Sequence, residues 1–237
     1  MDPLKGKVAL VTGGTRGIGR AIAEMLLAEG CSVSICGRRQ EDVDKAIREL
    51  SAKHGGKVAG KAADVRRNEE VAELFRFTDR EFGGLDVLVN NAGVGVFRSV
   101  NELSIEEWKY VVETNLHGVF YATREALTRF ATRGAGFIVN ISSLAGKNPF
   151  AGGAAYNASK FGLTGFSEAT MLDMRQENVR VSYIMPGSVD TAFSSQGGGA
   201  NWKIWPEDIA ETVRTVLRMP ERTLISRVEI RPSRPKR

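Results

Sequence analysis

The 237-residue chain has few of the residues that build covalent or metallic scaffolds. Its two cysteines, Cys31 and Cys36, are too few and wrongly spaced for a disulfide framework or a zinc knuckle. Its two histidines, His54 and His117, stand apart, so a histidine metal site or a Ser-His-Asp triad has little to build on, and no metal is expected. No apolar run approaches the ~18 residues of a membrane span, and Met1–Lys7 lacks the apolar core of a signal peptide. These absences lead us to expect a soluble, cytoplasmic protein without a membrane partner. Excess charge is also scarce. Lys and Arg outnumber Asp and Glu by 33 to 28, and four cations of the surplus (Arg231, Arg234, Lys236, Arg237) lie in the tail 231–237. A nearly neutral body with a short basic tail argues against nucleic acid as a partner.

What is abundant is glycine, 26 residues, gathered in a few places between apolar runs. Those runs predict strands at Val8–Thr12, Ser32–Cys36, Lys57–Ala62, Asp86–Asn90, Gly136–Ile141 and Arg180–Met185, with a weaker one within Thr223–Ile230. Helical periodicity fills the intervals at Gly17–Glu29, Glu41–Lys53, Asn68–Phe82, Ile105–Thr132, Ala154–Glu177 and Pro206–Arg218. Regular alternation of strand and helix predicts one α/β domain, a Rossmann-type doubly wound parallel sheet with helices on both faces. Only Thr191–Trp205 is a long connection. It holds Gly197-Gly198-Gly199 and two tryptophans, and reads as a substrate lid or as a surface loop with an apolar anchor.

The first strand runs into Gly13-Gly14-Thr15-Arg16-Gly17-Ile18-Gly19, and a helix follows at once. Such a turn lets backbone N–H groups approach a pyrophosphate at the helix N-terminus. It is neither the phosphate loop of nucleotide hydrolases, because Arg20-Ala21 follows Gly19, nor Gly-x-Gly-x-x-Gly, because the spacing is Gly13-x3-Gly17-x-Gly19. At the end of the second strand, where NAD-binding folds place an acid, the chain reads Cys36-Gly37-Arg38-Arg39. Arg38, with Arg16 from the glycine turn, suits the 2′-phosphate of NADP(H), which is therefore preferred over NAD(H).

Tyr156 and Lys160 stand four residues apart on a helical segment and share a face. A phenol with an ordinary pKa near 10 is a poor proton shuttle, and a neighbouring ammonium favours its phenolate.

Together with Thr12-Gly13-x3-Gly17-x-Gly19, Asp64-Val65, Asn90-Asn91-Ala92-Gly93, Asn115, Ile141-Ser142-Ser143 and Pro186-Gly187-x-Val189-x-Thr191, this pair makes the chain resemble the short-chain dehydrogenase/reductase family over nearly its whole length. The resemblance implies NADPH-dependent, reversible reduction of a carbonyl, the substrate being a small ketone or a 3-oxoacyl thioester among other candidates. Tyr156 would be the general acid, Ser143 (with Ser142 as rival) the donor to the substrate oxygen, Lys160 the ribose ligand, and Asn115 the holder of a relay water. Gly13, Thr15, Arg16, Gly17, Ile18 and Gly19 would cradle the cofactor, Arg38 and Arg39 would flank its phosphate, and Asp64 and Val65 would meet the adenine. Asn90, Ala92 and Gly93 would line the cleft, and Pro186, Gly187, Val189 and Thr191 would embrace the nicotinamide. Phe97, Leu144, Phe150, Phe193, Trp202 and Trp205 are candidates for an apolar substrate wall. A homotetramer or homodimer built on Ile105–Thr132 and Ala154–Glu177 is also implied. An NADP(H) sensor without chemistry is the alternative reading of the same fold.

Overall fold

The computed structural model describes residues 4–55, 57–193 and 201–235. Seven parallel strands form one sheet in the order β3-β2-β1-β4-β5-β6-β7: β1 Val8–Val11, β2 Ser32–Gly37, β3 Val58–Ala62, β4 Val87–Asn90, β5 Gly136–Ile141, β6 Val179–Pro186 and β7 Arg227–Ile230. The helices between them are α1 Gly17–Ala28, α2 Gln40–His54, α3 Asn68–Phe82, α4 Ile105–Val112, α5 Gly118–Arg133, α6 Ala154–Met174 and α7 Pro206–Leu217.

The strands explain the two cores. Successive side chains on a strand point to opposite faces. Ala9 and Val11 of β1, with Val87 and Val89 of β4, join Ile22, Leu26, Val43, Leu50, Ile209 and Val213 from α1, α2 and α7. Val8, Leu10 and Leu88 point the other way, onto Val71, Leu74 and Phe75 of α3 and Ala122, Ala126 and Phe130 of α5. The sheet is thus doubly wound, as the alternation predicts. Winding reverses between β1 and β4, which pair as Leu10 with Leu88 and Val11 with Val89. At that switch point the connections leave in opposite directions and open a crevice at the carboxyl ends of the strands.

One expected element is different. The helical stretch Ile105–Thr132 is broken at Glu113–His117, where a single π turn separates α4 from α5. A π turn accommodates one extra residue without ending the helix. Gly118 follows it, and a β-carbon there would lie 2.9 Å from the Val65 carbonyl oxygen, so α5 begins in close contact with the connection between β3 and α3.

The connection after β6 is pinned at its base. Ile204 is buried, its N–H donates to the Ser188 carbonyl at 3.0 Å, and its carbonyl accepts from Asp190 N–H at 2.8 Å. Residues 194–200, the centre of the expected lid, lie outside the described residues, as do Lys236 and Arg237 of the basic tail.

Candidate active site

The glycine turn sits at the switch point and is held by the end of β4. Thr12 Oγ1 accepts from the N–H groups of Asn91 and Ala92 at 3.0 and 3.1 Å. The Asn91 side chain donates to the carbonyls of Thr12 and Gly13 at 2.9 and 3.1 Å. Gly13 has φ +65°, and a β-carbon on it would stand 3.0 Å from Ala92 Cα. On Gly19 a β-carbon would come within 2.3 Å of both Asn91 Nδ2 and the Gly13 carbonyl, so only glycine allows this closure. The turn delivers α1 with no side-chain cap and no acid in its first turn. Ile18 packs on the core below it. Thr191 lies against Gly17, which brings the Pro186–Thr191 segment to the turn, and Thr15 packs on Gly37 beside Arg38.

At the far end of the crevice Arg38 is exposed and donates from Nη1 to the Tyr110 hydroxyl at 2.8 Å. Arg39 is ion-paired with Glu41 of α2 at 2.5 Å, both side chains being exposed. Arg16 is exposed at the head of α1. Asp64 is clamped by Arg66, whose Nε lies 3.0 Å from both carboxylate oxygens, and this partner holds the carboxyl below its ordinary pKa. Arg66 also stacks on Tyr110, its guanidinium carbon 5.1 Å from the ring centroid. Val65 is buried against Gly118, so its side chain belongs to the packing under the π turn.

Two asparagines are held by bonds within the fold. Asn90 is buried, and its amide donates to Asn140 Oδ1 at 2.9 Å while Asn140 donates to Ser167 at 2.8 Å. Its side chain ties β4 to β5 and α6 inside the domain and does not line the crevice. Asn115 lies in the π turn, where its Oδ1 accepts from Val94 N–H at 2.8 Å. Its Nδ2 donates to the Val94 carbonyl at 2.9 Å and to Ser159 Oγ at 3.0 Å. Through these three bonds the side-chain amide positions the Gly93–Gly95 backbone.

The proton-transfer group is assembled by β5 and α6. Tyr156 and Lys160 lie on the first two turns of α6, at the positive end of its dipole. Lys160 is buried, donates to the Ile141 carbonyl at 3.0 Å and lies 5.8 Å from the Tyr156 ring centroid. Burial brings its ammonium down to about 8. For Tyr156 burial acts in the opposite direction and raises the phenol, while a hydrogen bond with Ser143 pulls it down. Of these two influences burial is the larger, and the phenol lies above its ordinary value. Ser143 caps a short 3-10 turn, its Oγ accepting from Ala145 N–H at 3.1 Å. The neighbouring Ser142 is buried and its hydroxyl has no partner among the described residues. Gly93 closes the group: a β-carbon there would meet Asn115 Oδ1 at 3.4 Å and Lys160 Nζ at 3.9 Å.

Three of the candidate wall residues, Phe97, Phe150 and Phe193, have their rings within 6.5 Å of the Tyr156 ring. Leu144 lies over Gly187. Trp202 instead lines a cleft of about 810 Å³ against residues 230–234, and Trp205 stands at the head of α7, largely exposed. Among the described residues no group of three or more His, Cys, Asp or Glu side chains could hold a metal, and no helix is long and apolar enough to cross a membrane.

With this geometry in place, comparison with known proteins gives a consistent result. The short chain dehydrogenase family model matches residues 7–199. An uncharacterized oxidoreductase of Staphylococcus saprophyticus is 33% identical over 233 residues, covering 98% of this chain and all of that protein. Among solved structures, an alcohol dehydrogenase from the archaeon Thermococcus sibiricus, complexed with 5-hydroxy-NADP, superimposes with a TM-score of 0.90 at 30% identity, over 98% of this chain and 99% of that one. A metagenomic short-chain oxidoreductase in complex with NADP gives 0.86 at 37% identity over the same shares. The chain belongs to the short-chain dehydrogenase family and is an oxidoreductase.

Sequence reading missed Tyr110, Arg66, Asn140 and Ser167. Arg66 could have been found from its place two residues beyond Asp64; the other three have no local signal.

Proposed function

We propose that the protein is an NADP(H)-dependent enzyme that reduces a carbonyl to an alcohol and catalyses the reverse oxidation. The observation that carries this reading is the convergence of Ser143, Tyr156 and Lys160 on one side of the crevice whose other side is the glycine turn. The turn fits a dinucleotide, since its close approaches exclude side chains at Gly13 and Gly19 and the head of α1 carries no competing acid. When bound, a reduced nicotinamide would supply the hydride, a proton with two electrons, to the carbonyl carbon. Tyr156 gives its phenolic proton to the carbonyl oxygen as that oxygen gains charge, and Ser143 donates a hydrogen bond to the same atom. Lys160 and the α6 dipole stabilise the phenolate left behind. Asn115 fixes Val94, and with it the floor on which the reacting groups meet.

The preference for NADP(H) rests on Arg38. Its hydrogen bond goes to the Tyr110 hydroxyl, and Asp64, which also feels its charge, is clamped by Arg66; this supports a role toward a 2′-phosphate, whereas Arg39 is ion-paired with Glu41. The NADP forms bound by the two similar structures agree with this reading. We read the protein as a cytoplasmic homo-oligomer. The exposed apolar side chains Phe120, Phe161 and Leu172 on α5 and α6 support association through those helices. A monomer in sedimentation at micromolar concentration overturns that part.

The central test is Tyr156→Phe. It should lower kcat by about 10²–10⁴-fold while NADPH titration by fluorescence shows unchanged affinity. Retained turnover overturns the proton-transfer role.

A further inference from the structure

Three phenylalanines from three separate connections converge on the Tyr156 ring. Phe97 follows β4, Phe150 precedes α6, and Phe193 follows β6. Phe97 meets Tyr156 edge to face, with centroids 5.6 Å apart and planes at 72°. Phe193 and Phe150 are tilted against the same ring at 5.8 and 6.5 Å. Phe97 also touches the other two, at 5.8 Å for Phe150 and 6.4 Å for Phe193. The group is therefore continuous, yet its phenylalanines remain 46–49% exposed.

Backbone fixes these rings in place. A β-carbon on Gly95 would stand 2.7 Å from Phe97 Cζ and 3.0 Å from Phe193 Cζ, and one on Gly153 would stand 2.6 Å from Phe150 Cε2. Glycine at these two positions lets the rings lie down on the main chain. Several polar groups close to these rings in the chain are paired. Arg98, beside Phe97, is paired with Glu107 at 2.8 Å; Lys147 is paired with Glu229 at 2.7 Å; and the Asn157 amide donates to the Phe150 carbonyl at 3.0 Å. The wall next to the phenol thus offers aromatic faces and edges. Of these described residues both cations, Arg98 and Lys147, are ion-paired, which leaves neither for a phosphate-bearing carrier.

Half-exposed rings clustered around a reacting group mark the place where a substrate substituent packs. Ring edges and faces carry opposite partial charge, so such a cluster favours a further ring over a saturated group of the same size. Resting on the carbonyl-reductase reading, we propose that the substrate is an aryl carbonyl compound, an aryl ketone or aryl aldehyde, with its ring against Phe97, Phe150 and Phe193. Its oxygen then points to Tyr156 and Ser143, and its reduction product is the benzylic alcohol.

The test is NADPH oxidation by the purified full-length protein with four probes: acetophenone, cyclohexyl methyl ketone, erythrulose and the N-acetylcysteamine thioester of acetoacetate. The expected result is a kcat/KM for acetophenone at least about tenfold above each of the others. Phe97→Leu and Phe193→Leu, both at half-exposed positions, should each lower kcat/KM for acetophenone at least about fivefold more than for cyclohexyl methyl ketone. An equal loss on both ketones overturns the aromatic assignment, because it means the rings contribute only bulk. Turnover led by erythrulose or the thioester also overturns it and leaves the carbonyl-reductase reading standing. No turnover on any of the four overturns both.

Discussion

The side-chain amide of Asn115 pairs with the peptide groups of Val94 much as two strand residues pair: Oδ1 accepts from Val94 N–H at 2.8 Å, and Nδ2 donates to the Val94 carbonyl at 2.9 Å. This asparagine sits in a π turn and fixes the loop that carries Gly93 to Gly95. Changing its chemistry while keeping its shape is therefore informative. Asn115→Asp replaces the donor with an acceptor facing the Val94 carbonyl. The expected cost is roughly 1–3 kcal/mol in urea unfolding, with a fall in kcat larger than any rise in KM for NADPH. A variant as stable and active as the parent shows that the Val94 pairing is dispensable.

Arg38 and Tyr110 predict a graded effect on cofactor choice. Arg38→Leu should raise KM for NADPH about 10–100-fold, the loss of one to two charge-assisted hydrogen bonds, while KM for NADH moves by less than about twofold. Tyr110→Phe removes only the hydroxyl that holds the guanidinium at 2.8 Å. Its effect should have the same direction and a smaller size, about 3–10-fold. Initial-rate kinetics with both cofactors decide the matter. Equal changes for NADPH and NADH would falsify the phosphate role.

The Lys160 ammonium makes stability depend on pH. Burial brings it down from 10.5 to about 8. As pH rises, the folded protein loses this proton before the unfolded chain does, so stability gains from about pH 8 to 10.5. Below pH 8 both states carry the charge and the full penalty opposes folding, roughly 3 kcal/mol at ~1.4 kcal/mol per pKa unit. Lys160→Met removes that penalty together with one hydrogen bond to Ile141, worth about 1 kcal/mol. The variant should be inactive, and its Tm advantage over the parent should be greatest below pH 8 and shrink toward pH 10. A pH-independent difference would contradict the buried-cation account.

The chain of Asn90, Asn140 and Ser167 is buried and satisfied. Asn140→Leu leaves the Asn90 amide and the Ser167 hydroxyl without this partner in a low-dielectric interior. We expect a loss of about 2–5 kcal/mol, measured by urea unfolding. Asn140→Asp, which keeps the acceptor for Asn90, should lose less at low pH, where the carboxyl can be neutral and donate to Ser167.

The alternation of strand and helix and the glycine turn were legible because they are written locally. The predicted α3 range, Asn68–Phe82, and strand range Gly136–Ile141 match the observed ones, and the other strand ranges differ by one or two residues apart from the weak last strand. Positions that depend on partners far along the chain were not legible. Asn90 looks from sequence like part of a cleft segment, and only a partner fifty residues away, Asn140, shows that it faces inward. The expected helix Ile105–Thr132 concealed the π turn because its apolar residues keep a helical rhythm on either side of it. Arg39 looked equivalent to Arg38, and its ion pair with Glu41, two residues on, was not foreseen.

The π turn links the reaction groups to the core through a single count of residues. An α-helix rotates about 100° per residue, and the extra residue in Glu113–His117 sets the phase in which α5 starts. That phase turns Ala122, Ala126 and Phe130 inward, while the same turn aims Asn115 at Val94. Deleting one residue here cannot be absorbed at one end only. If the turn keeps its shape, α5 rotates and Phe130 leaves the interior. If α5 keeps its seat, the turn straightens and Val94 loses its clamp. Core and crevice therefore tolerate substitution separately but share one reading frame of helix rotation, and a change of length at this point is felt by both.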